Sequence, residues 1–376
     1  MRTRCLVYFA TLLGSCGLLL GAQRSAPTAP SEWRNASPDR TLEFPRDHAS
    51  HPEYRVEWWY YTGNLESDDG RRFGYQVTFF RVGIDPKPAN PSLWAVRDLF
   101  MAHLAVTDLD RGRHLVDERL NRAGVGWAGA RDDRLEVWNE DWRLTVDGRD
   151  HRLELESDDG RFGVQLRLVE DRAPVLHGEQ GFSQKGSTQG NASHYYSLTR
   201  MPTSGTLRMD GKAIDVRGAS WMDHEFGTSF LEPDQQGWDW FSLQLEDGTD
   251  VMVYQLRLRD GSVHPNSSGT VVTTTGDTRV LSAGDYRLEA GRVWISGTSE
   301  AHSPVEWRVG IPSARLDLEV RAAVDAQELH TAESTGVTYW EGAVVVSGTR
   351  NGEPIEGRGY LEMTGYAGQP MSEVLR

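Results

Sequence analysis

From residue 50 onward, apolar and polar residues alternate along the chain in short stretches separated by Asp-Gly, Asn-Gly and Gly-Asp turns. A period of two residues sends neighbouring side chains to opposite faces of a strand, and turns of this kind join antiparallel strands. Helical periodicity is nearly absent. The pattern therefore predicts an all-β chain built from antiparallel strands.

Several of these predicted strands recur in the same order in the two halves of the chain. Matches that keep one order along both halves indicate two related domains in tandem. The matched pairs are EWWYYTGNLE (57–66) with GWDWFSLQLE (237–246), WRLTV (142–146) with WRVGI (307–311), and SGTLRMDGKAIDVRG (204–218) with SGTRNGEPIEGRG (347–359).

The duplication predicts domains at 51–230 and 231–376, with the boundary close to 227–237. Each half suits a closed or nearly closed antiparallel barrel, because closure removes exposed strand edges. A barrel of about eight strands is just wide enough to hold one small ligand. The expected architecture is two tandem antiparallel barrels, each with room for a small molecule.

The first 22 residues have the pattern of an export signal, with two arginines before an apolar run and small residues after it. The alternative is that LGSC at 13–16 is a lipobox and that Cys16 becomes lipidated. Residues 23–50 are rich in Pro, Ser, Ala and Arg without periodicity, which predicts a flexible linker. We therefore expect an exported protein, periplasmic or secreted, which associates with a membrane only if Cys16 carries a lipid.

Charge and cysteine content exclude several classes of function. The 376 residues include 40 basic and 55 acidic ones, a formal charge of −15 that repels phosphate backbones, so nucleic acid is not an expected partner. Both cysteines, Cys5 and Cys16, lie in the leader, which leaves the two domains without a disulfide or a thiol nucleophile. Without H-x-H or H-E-x-x-H spacing, neither a metal nor another cofactor is predicted.

Duplicated halves share what the fold needs, so residues found in one half only are candidates for function. After Gly218 the first half continues ASWMDHEFG, whereas after Gly359 the second continues YLEMTGY. In this alignment Asp223, His224 and Glu225 have no ionisable counterparts. An ionisable group beside an apolar cavity has a pKa shifted so as to favour its neutral form and can act as an acid or a base. The alternative is that Asp223 and His224 hydrogen-bond backbone where the domains meet.

Four aromatic rings follow Glu57 in the first predicted strand. Alternation sends Glu57, Trp59 and Tyr61 to one face and Trp58 and Tyr60 to the other, so that one set lines a barrel while the other packs against its neighbour. The matching strand of the second half has glycine in place of Glu57. The carboxylate is therefore peculiar to the first half.

The predicted catalytic residues are Asp223 as proton donor, with His224 or Glu57 positioning water as a base. Whether these three side chains meet in one pocket is not fixed by the sequence. The aromatic residues and one histidine nearby are predicted to line a pocket for an apolar ligand, although His103 and Tyr196 are equally consistent with a core. The predicted ligand-binding residues are Trp58, Trp59, Tyr61, His103, Tyr196, Trp221, Trp238 and Trp240.

Together these motifs resemble the AttH-like branch of the carotenoid 1,2-hydratase (hydroxyneurosporene synthase) family over nearly all of the chain after residue 50. The resemblance is carried by EWWYYTGNL, FMAHLAVTD, HGEQGFSQKG, YYSLTRM, SWMDHEFG with WDWFSLQL, and GRGYLEMTGY. It implies two lipocalin-like β-barrels in tandem. The family includes hydratases, related pericyclase-like enzymes and many members described only as predicted secreted hydrolases.

The hydratases of this family add water across a terminal isoprenoid C=C bond without a cofactor. Their segment corresponding to SWMDHEFG is similar to a His-Asp-His-Asn-Trp-Gly run. This chain keeps Asp223, His224 and Gly227 but has Met, Glu and Phe at the other positions. These differences argue against carotenoid hydration as the reaction, but they do not affect the expected fold.

Three functions are compatible with these features. The first is an enzyme of hydratase, isomerase or hydrolase type that acts on a lipophilic small molecule through acid–base residues in the first barrel. The second is a carrier that holds such a molecule unchanged. The third is a structural adaptor attached through residues 23–50.

Overall fold

The computed structural model describes residues 32–228 and 231–368. The predicted signal peptide, Cys16 and the start of the predicted linker lie outside the described residues, so export stays a prediction. Within the described residues, no helix is long and apolar enough to cross a bilayer. Helical structure there consists of two short 3-10 turns, Arg46–His48 and Pro312–Ala314.

The first sheet has thirteen strands. They are β1 Val56–Ser67, β2 Arg72–Gly83, β3 Asp98–Asp108, β4 Arg113–Arg122, β5 Ala128–Ala130, β6 Glu136–Asn139, β7 Trp142–Asp147, β8 Asp150–Glu156, β9 Phe162–Val169, β10 Val175–Leu176, β11 Phe182–Gln184, β12 Ala192–Met209 and β13 Lys212–Gly227.

The second sheet has ten strands, and two further short strands, β19 and β20, pair with each other. They are β14 Gln235–Leu245, β15 Asp250–Leu258, β16 Ser268–Val272, β17 Thr278–Ser282, β18 Arg287–Ala290, β19 Val293–Ile295, β20 His302–Pro304, β21 Glu306–Ile311, β22 Leu316–Ala322, β23 Glu328–Thr331, β24 Val337–Arg350 and β25 Glu353–Met363.

Both sheets are antiparallel and curl into barrels. The first has the order β4-β3-β2-β1-β13-β12-β9-β8-β7-β6-β5, and the second β17-β16-β15-β14-β25-β24-β22-β21-β18. The two edges of the first sheet approach each other, since Asn121 on β4 donates from Nδ2 to Oδ1 of Asn139 on β6 at 2.8 Å. This arrangement confirms the all-β, tandem-barrel architecture. The change from one sheet to the other falls between β13 and β14, inside the segment predicted as the domain boundary.

Strand order is the same in the two halves, which places β1 in the position of β14 and β13 in that of β25. Tyr60 lies opposite Asp223 across β1 and β13, and Trp240 lies opposite Glu362 across β14 and β25. Because Tyr60 and Trp240 match in the two halves, Glu362 occupies the position of Asp223. The expectation that Asp223 has no ionisable counterpart is therefore wrong, since the sequence alignment is displaced by two residues in this strand.

Strand β1 is buried on both faces because the second barrel covers the side that the first barrel does not use. Trp59 and Tyr61 belong to the core of the first barrel. Tyr60 and Trp58 pack instead in a cluster with Trp240 of the second barrel. Alternation along this strand therefore places one set of rings in the first barrel and the other between the two barrels.

The described part of the predicted linker is packed, in contrast to the flexible linker expected from its composition. Asp47 and His48 are 1% and 2% exposed. His48 Nδ1 lies 2.7 Å from Tyr196 Oη inside the first barrel, and Ala36 donates its N–H to Thr228 Oγ1 at 2.9 Å. These specific polar contacts hold the segment, and a composition rich in Pro and Ser does not reveal them.

Buried polar contacts also join the two barrels. Asp250 of the second barrel is fully buried and accepts hydrogen bonds from Arg200 Nη2 at 2.6 Å and Thr199 Oγ1 at 2.8 Å. Gln244 Nε2 donates to the backbone oxygen of Thr199 at 2.7 Å. Because a buried charge is stable only when it is paired, these contacts favour one relative placement of the barrels.

Close approach of the barrels at Gly74 gives a test of this packing. A Cβ there would lie 2.7 Å from Tyr360 Oη and 2.9 Å from Ala343 Cβ, both in the second barrel. We expect Gly74→Ala to destabilise the protein by about 1–3 kcal/mol through overpacking, measured by urea denaturation. The matched control is Gly310→Ala, where a Cβ meets nothing within 4 Å. Equal midpoints for the two variants would contradict the close packing.

Candidate functional site

The pairing of β1 with β13 divides the predicted catalytic residues between two places. Trp59 lies opposite His224, and Tyr60 lies opposite Asp223. Residues directly opposite each other share a face of the sheet, and consecutive residues lie on opposite faces. His224 therefore joins Glu57 inside the first barrel, whereas Asp223 faces the second barrel.

Glu57 is the centre of a buried hydrogen-bond network inside the first barrel. Its Oε1 lies 3.0 Å from His224 Nε2 and 2.9 Å from His51 Nδ1. Its Oε2 accepts hydrogen bonds from Ser50 Oγ at 2.7 Å and Arg81 Nε at 3.1 Å. Burial raises the pKa of Glu57, but its hydrogen bonds to the two histidines and the charge of Arg81 outweigh burial and hold that pKa well below its usual value.

His51 lies between two carboxylates. Its Nδ1 faces Glu57, and its Nε2 is 3.1 Å from Asp47 Oδ1. Burial lowers the pKa of His51, yet the two hydrogen bonds raise it overall above its ordinary value. The protonated ring thus helps Arg81 to balance the acids Asp47, Glu57 and Asp98.

His224 is neutral in this network. Burial lowers its pKa to about 4 in spite of Glu57. Its Nε2–H donates to Glu57, and its Nδ1 accepts from Tyr196 Oη at 3.0 Å. The ring also stacks on Trp59 with a centroid distance of 5.0 Å and an interplanar angle of 21°. These contacts fix His224 in the core, where its side chain is fully buried.

The donor atoms of His51, Glu57 and His224 lie within 4.8 Å of one another, close enough to hold a metal ion. Two histidines and one carboxylate form a donor set that suits several transition metals. Here, however, Oε1 of Glu57 already accepts from both rings, and Arg81 adds a positive charge 3.1 Å from the same carboxylate. The arrangement of these three residues is therefore that of an ion-pair network rather than that of a metal site.

A second site lies between the two barrels, in a pocket with a volume of about 150 Å³. A cavity of this size accommodates a group of about the size of benzene, so a larger ligand must extend beyond it. Its aromatic walls include Trp58, Tyr60, Tyr195, Trp238, Trp240 and Tyr339, and its ionisable residues are His103, Lys185, Asp223, Glu225, Glu341 and Glu362.

Asp223 is 4% exposed and is held in this pocket by neutral donors. Tyr195 Oη donates to its Oδ2 at 2.6 Å, and Trp221 Nε1 donates to its Oδ1 at 2.6 Å. Ser197 donates to the same Oδ1 and lies 2.6 Å from His177 Nε2. Burial outweighs these hydrogen bonds and raises the pKa of Asp223 to about 7.

Glu225 lies two residues further along β13 and has a different environment. Lys185 Nζ is 3.1 Å from its Oε1, and Ser193 donates to the same oxygen. The ammonium also lies over the rings of Tyr195 and Tyr254, at 4.8 and 4.5 Å from their centroids. Burial lowers the pKa of Lys185, but its interactions with Glu225 and Tyr254 together more than offset burial and raise that pKa. The wall formed by β13 thus carries a carboxyl with a raised pKa beside an ion pair.

The opposite wall adds two acids that sequence reasoning missed. Glu341 and Glu362 lie opposite each other on β24 and β25. Burial raises the pKa of both, that of Glu362 to about 7 and that of Glu341 well above its usual value, with Glu362 contributing to the latter shift. Alternation in VTYWEGAVV and GYLEM places these acids on the same faces as Tyr339 and Tyr360, which is the signal that could have found them.

The three predicted catalytic residues do not meet in one pocket, because Glu57 and His224 lie inside the first barrel and only Asp223 lines the pocket. Among the predicted ligand-binding residues, Trp58, His103, Trp238 and Trp240 line the pocket. Trp221 lies behind it and donates to Asp223. Trp59, Tyr61 and Tyr196 belong instead to the core of the first barrel.

His103 joins the pocket wall to the second barrel. Its Nδ1 is 2.8 Å from Tyr339 Oη, and its Nε2 is 2.9 Å from Ser334 Oγ. Burial lowers its pKa to about 3, so the ring is neutral. It is a fixed part of the wall with both nitrogens occupied.

The chain belongs to the AttH-like family, whose model matches residues 35–366. No curated protein sequence matches it significantly. Among solved structures, an AttH-like protein from Nitrosomonas europaea is 34% identical, with a TM-score of 0.80 over 89% of this chain and 99% of that chain. Membership of this family and the tandem-barrel fold therefore agree with the resemblance read from the sequence.

Two more distant structures share the fold. Kievitone hydratase from Nectria haematococca is 16% identical, with a TM-score of 0.67 over 89% of this chain and 96% of that chain. CghA with Sch210972 is 14% identical, with a TM-score of 0.53 over 83% of this chain and 88% of that chain.

The ion-pair network of Glu57 predicts a large loss of stability on its disruption. Glu57→Gln leaves Arg81 and His51 without their shared carboxylate. We expect a loss of about 3–5 kcal/mol, the usual cost of breaking a buried ion pair, measured by urea denaturation. The control is Asp317→Asn, which removes an exposed pair with Arg308 and is expected to leave the midpoint nearly unchanged. A Glu57→Gln variant as stable as this control would contradict the structural role.

The raised pKa of Asp223 predicts a pH dependence of stability. The unfolded carboxyl ionises near pH 3.8 and the folded one near 7. The neutral form therefore supports folding fully below pH 3.8, and this support is lost as pH rises through 7, by an amount on the order of 4 kcal/mol. We expect Asp223→Asn to flatten this fall, measured by thermal unfolding between pH 5 and pH 8. The control is the exposed Asp133→Asn, and equal slopes for the two variants would exclude the assignment.

Proposed function

We propose that the protein binds a lipophilic small molecule in the pocket between the barrels and transfers protons to it without a cofactor, as a hydratase- or isomerase-type enzyme. The observation that carries this proposal is the buried carboxyl of Asp223 among aromatic walls. A general acid works best when its pKa lies near the operating pH, and burial places Asp223 there.

Hydration of an alkene gives each group a role. Asp223 donates its proton to one carbon of the C=C bond, and a carbocation forms on the other. The faces of rings such as Trp58 and Trp240 stabilise that positive charge by about 1–2 kcal/mol each when they are desolvated. Water then adds to the cation and loses a proton to the carboxylate of Glu225. Transfer of a proton from Glu225 back to Asp223, directly or through solvent, restores both groups, so the net change is the addition of one water molecule.

The contrast between the two acids of β13 supports this division of roles. Asp223 has neutral hydrogen-bond donors, whereas Glu225 has an ammonium group 3.1 Å away. Two nearby carboxyls with such contrasting hydrogen-bond partners are typical of acid–base pairs. Glu57 and His224, predicted from the sequence as the base, lie in the barrel interior and serve instead to hold β1 and β13 together.

The fold that this chain shares with kievitone hydratase, at 16% identity, is the basis for choosing hydration as the proposed reaction. A lipophilic ligand is supported by the walls of the pocket, which consist largely of aromatic and aliphatic side chains.

Incubation with farnesol in D2O tests the proposal, because protonation of its terminal isoprenoid C=C bond introduces a non-exchangeable deuterium. We expect mass spectrometry to detect a deuterated, hydrated product and Asp223→Asn to slow its formation by about a hundredfold or more. Asp133→Asn serves as the exposed control. Equal rates for the two variants would exclude Asp223 as the acid, and farnesol that binds but is recovered unlabelled would favour a carrier.

A further inference from the structure

The wall of the pocket contributed by the second barrel carries acidic groups that the proposed proton transfer does not use. Glu341 is 1% exposed, and its Oε1 has no hydrogen-bond partner among the residues that the structure describes. Tyr60 is the hydrogen-bond donor nearest to Glu341 and lowers its pKa, but its hydroxyl makes no well-formed hydrogen bond among the described residues. A buried carboxyl oxygen without a well-formed hydrogen bond costs free energy, so Glu341 retains an acceptor that a ligand can use.

The balance of charge in the pocket identifies the sign of that group. Four carboxyl groups line it, whereas Lys185 is the one ammonium or guanidinium group among the described lining residues. Lys185 is already paired with Glu225 at 3.1 Å. Glu341 and Glu362, on the opposite wall, therefore share no cation, although they lie side by side on β24 and β25.

Aromatic rings surround the same acids. Tyr60, Trp238 and Trp240 line the pocket together with Glu341 and Glu362. Ring faces attract cations, and cages of such rings recognise quaternary ammonium ligands. A desolvated cation near an acid pair gains from the ring faces and from the carboxylates whose ionisation it favours, whereas a carboxylate or phosphate gains from neither.

We propose that the Glu341–Glu362 wall of the pocket is a subsite for an organic ammonium group, so that the natural ligand is a lipophilic amine. This inference rests on the proposed function in using the same pocket, and it names the class of ligand. The ammonium would lie against Glu341 and Tyr60, and the apolar part of the ligand would lie toward Asp223 and Trp58.

The binding should be coupled to proton release. Burial raises the pKa of both acids, that of Glu362 to about 7, and the charge of Glu362 raises the pKa of Glu341 further. A bound cation favours ionisation, so affinity is expected to rise as pH increases. The other ionisable groups that line the pocket are Tyr60 on β1, His103 on β3, Lys185 after β11, Tyr195 on β12, Asp223 and Glu225 on β13, Tyr254 on β15, and Tyr339 on β24.

The test compares benzyltrimethylammonium with neopentylbenzene, its uncharged isostere, in binding to the full-length protein followed by tryptophan fluorescence. We expect the cation to bind about tenfold more tightly or better. Because its charge does not change with pH, calorimetry in buffers of different ionisation enthalpy reports protons released by the protein. Proton release between pH 6 and pH 8 is the second expected result.

The double variant Glu341→Gln/Glu362→Gln keeps the shape of the wall and removes its charge. We expect it to lose the preference for the cation and the proton release while it still binds neopentylbenzene, which shows that the pocket is intact. The exposed Glu289→Gln is the matched control. Cation binding no tighter than that of the isostere, or unchanged in the double variant, would overturn the ammonium subsite.

Failure of this inference is distinguishable from failure of the proposed function. Binding of neopentylbenzene without a preference for the cation removes the ammonium subsite and leaves proton transfer by Asp223 intact. Absence of binding by both compounds also overturns the ammonium subsite, while deuterium incorporation into farnesol reports separately on Asp223.

Discussion

Both sites depend on one constraint, which is the fixed register between the neighbouring strands β1 and β13, combined with the alternation of side chains along each strand. It places Glu57 with His224 inside the first barrel and Tyr60 with Asp223 between the barrels. A slip of one residue would exchange the two sets, because successive side chains alternate between faces. The buried ion pairs of the interior therefore also fix the position of the acid in the pocket.

Two buried carboxyls on the neighbouring strands β1 and β13 differ in the charge of the groups around them. Glu57 is surrounded by Arg81 and two histidines. These partners stabilise its ionised form, since a buried charge is tolerated only when it is paired. Asp223 has only neutral donors, so burial favours its protonated form. The same chemical group is structural in one place and suited to proton transfer in the other because of its neighbours alone.

Much of the fold follows from local patterns in the sequence. Alternation and Asp-Gly turns are sufficient for the antiparallel barrels, and alternation alone separates Trp59 from Trp58. The sequence does not specify which side of β1 faces a barrel interior and which faces a partner, since the second barrel supplies that partner from more than 100 residues away. For the same reason, alternation places Glu341 and Glu362 on the same strand faces as Tyr339 and Tyr360 but does not place them at the pocket, to which the pairing of β24 with β25 and the packing of the barrels bring them.

Comparison of the two halves separates what the fold needs from what it does not. In the second barrel, Gly237 stands at the position of Glu57 and Met363 at that of His224, so a barrel of this type does not require the interior network. The outward-facing acid, in contrast, is present in both halves, as Asp223 and Glu362. Neither acid joins the barrels by an ion pair, a role that Asp250 fills with Arg200.

Burial raises the pKa of both acids, Asp223 and Glu362, so their ionisation opposes folding. Acids that disfavour the folded state and face a common pocket are best explained by the chemistry of a ligand.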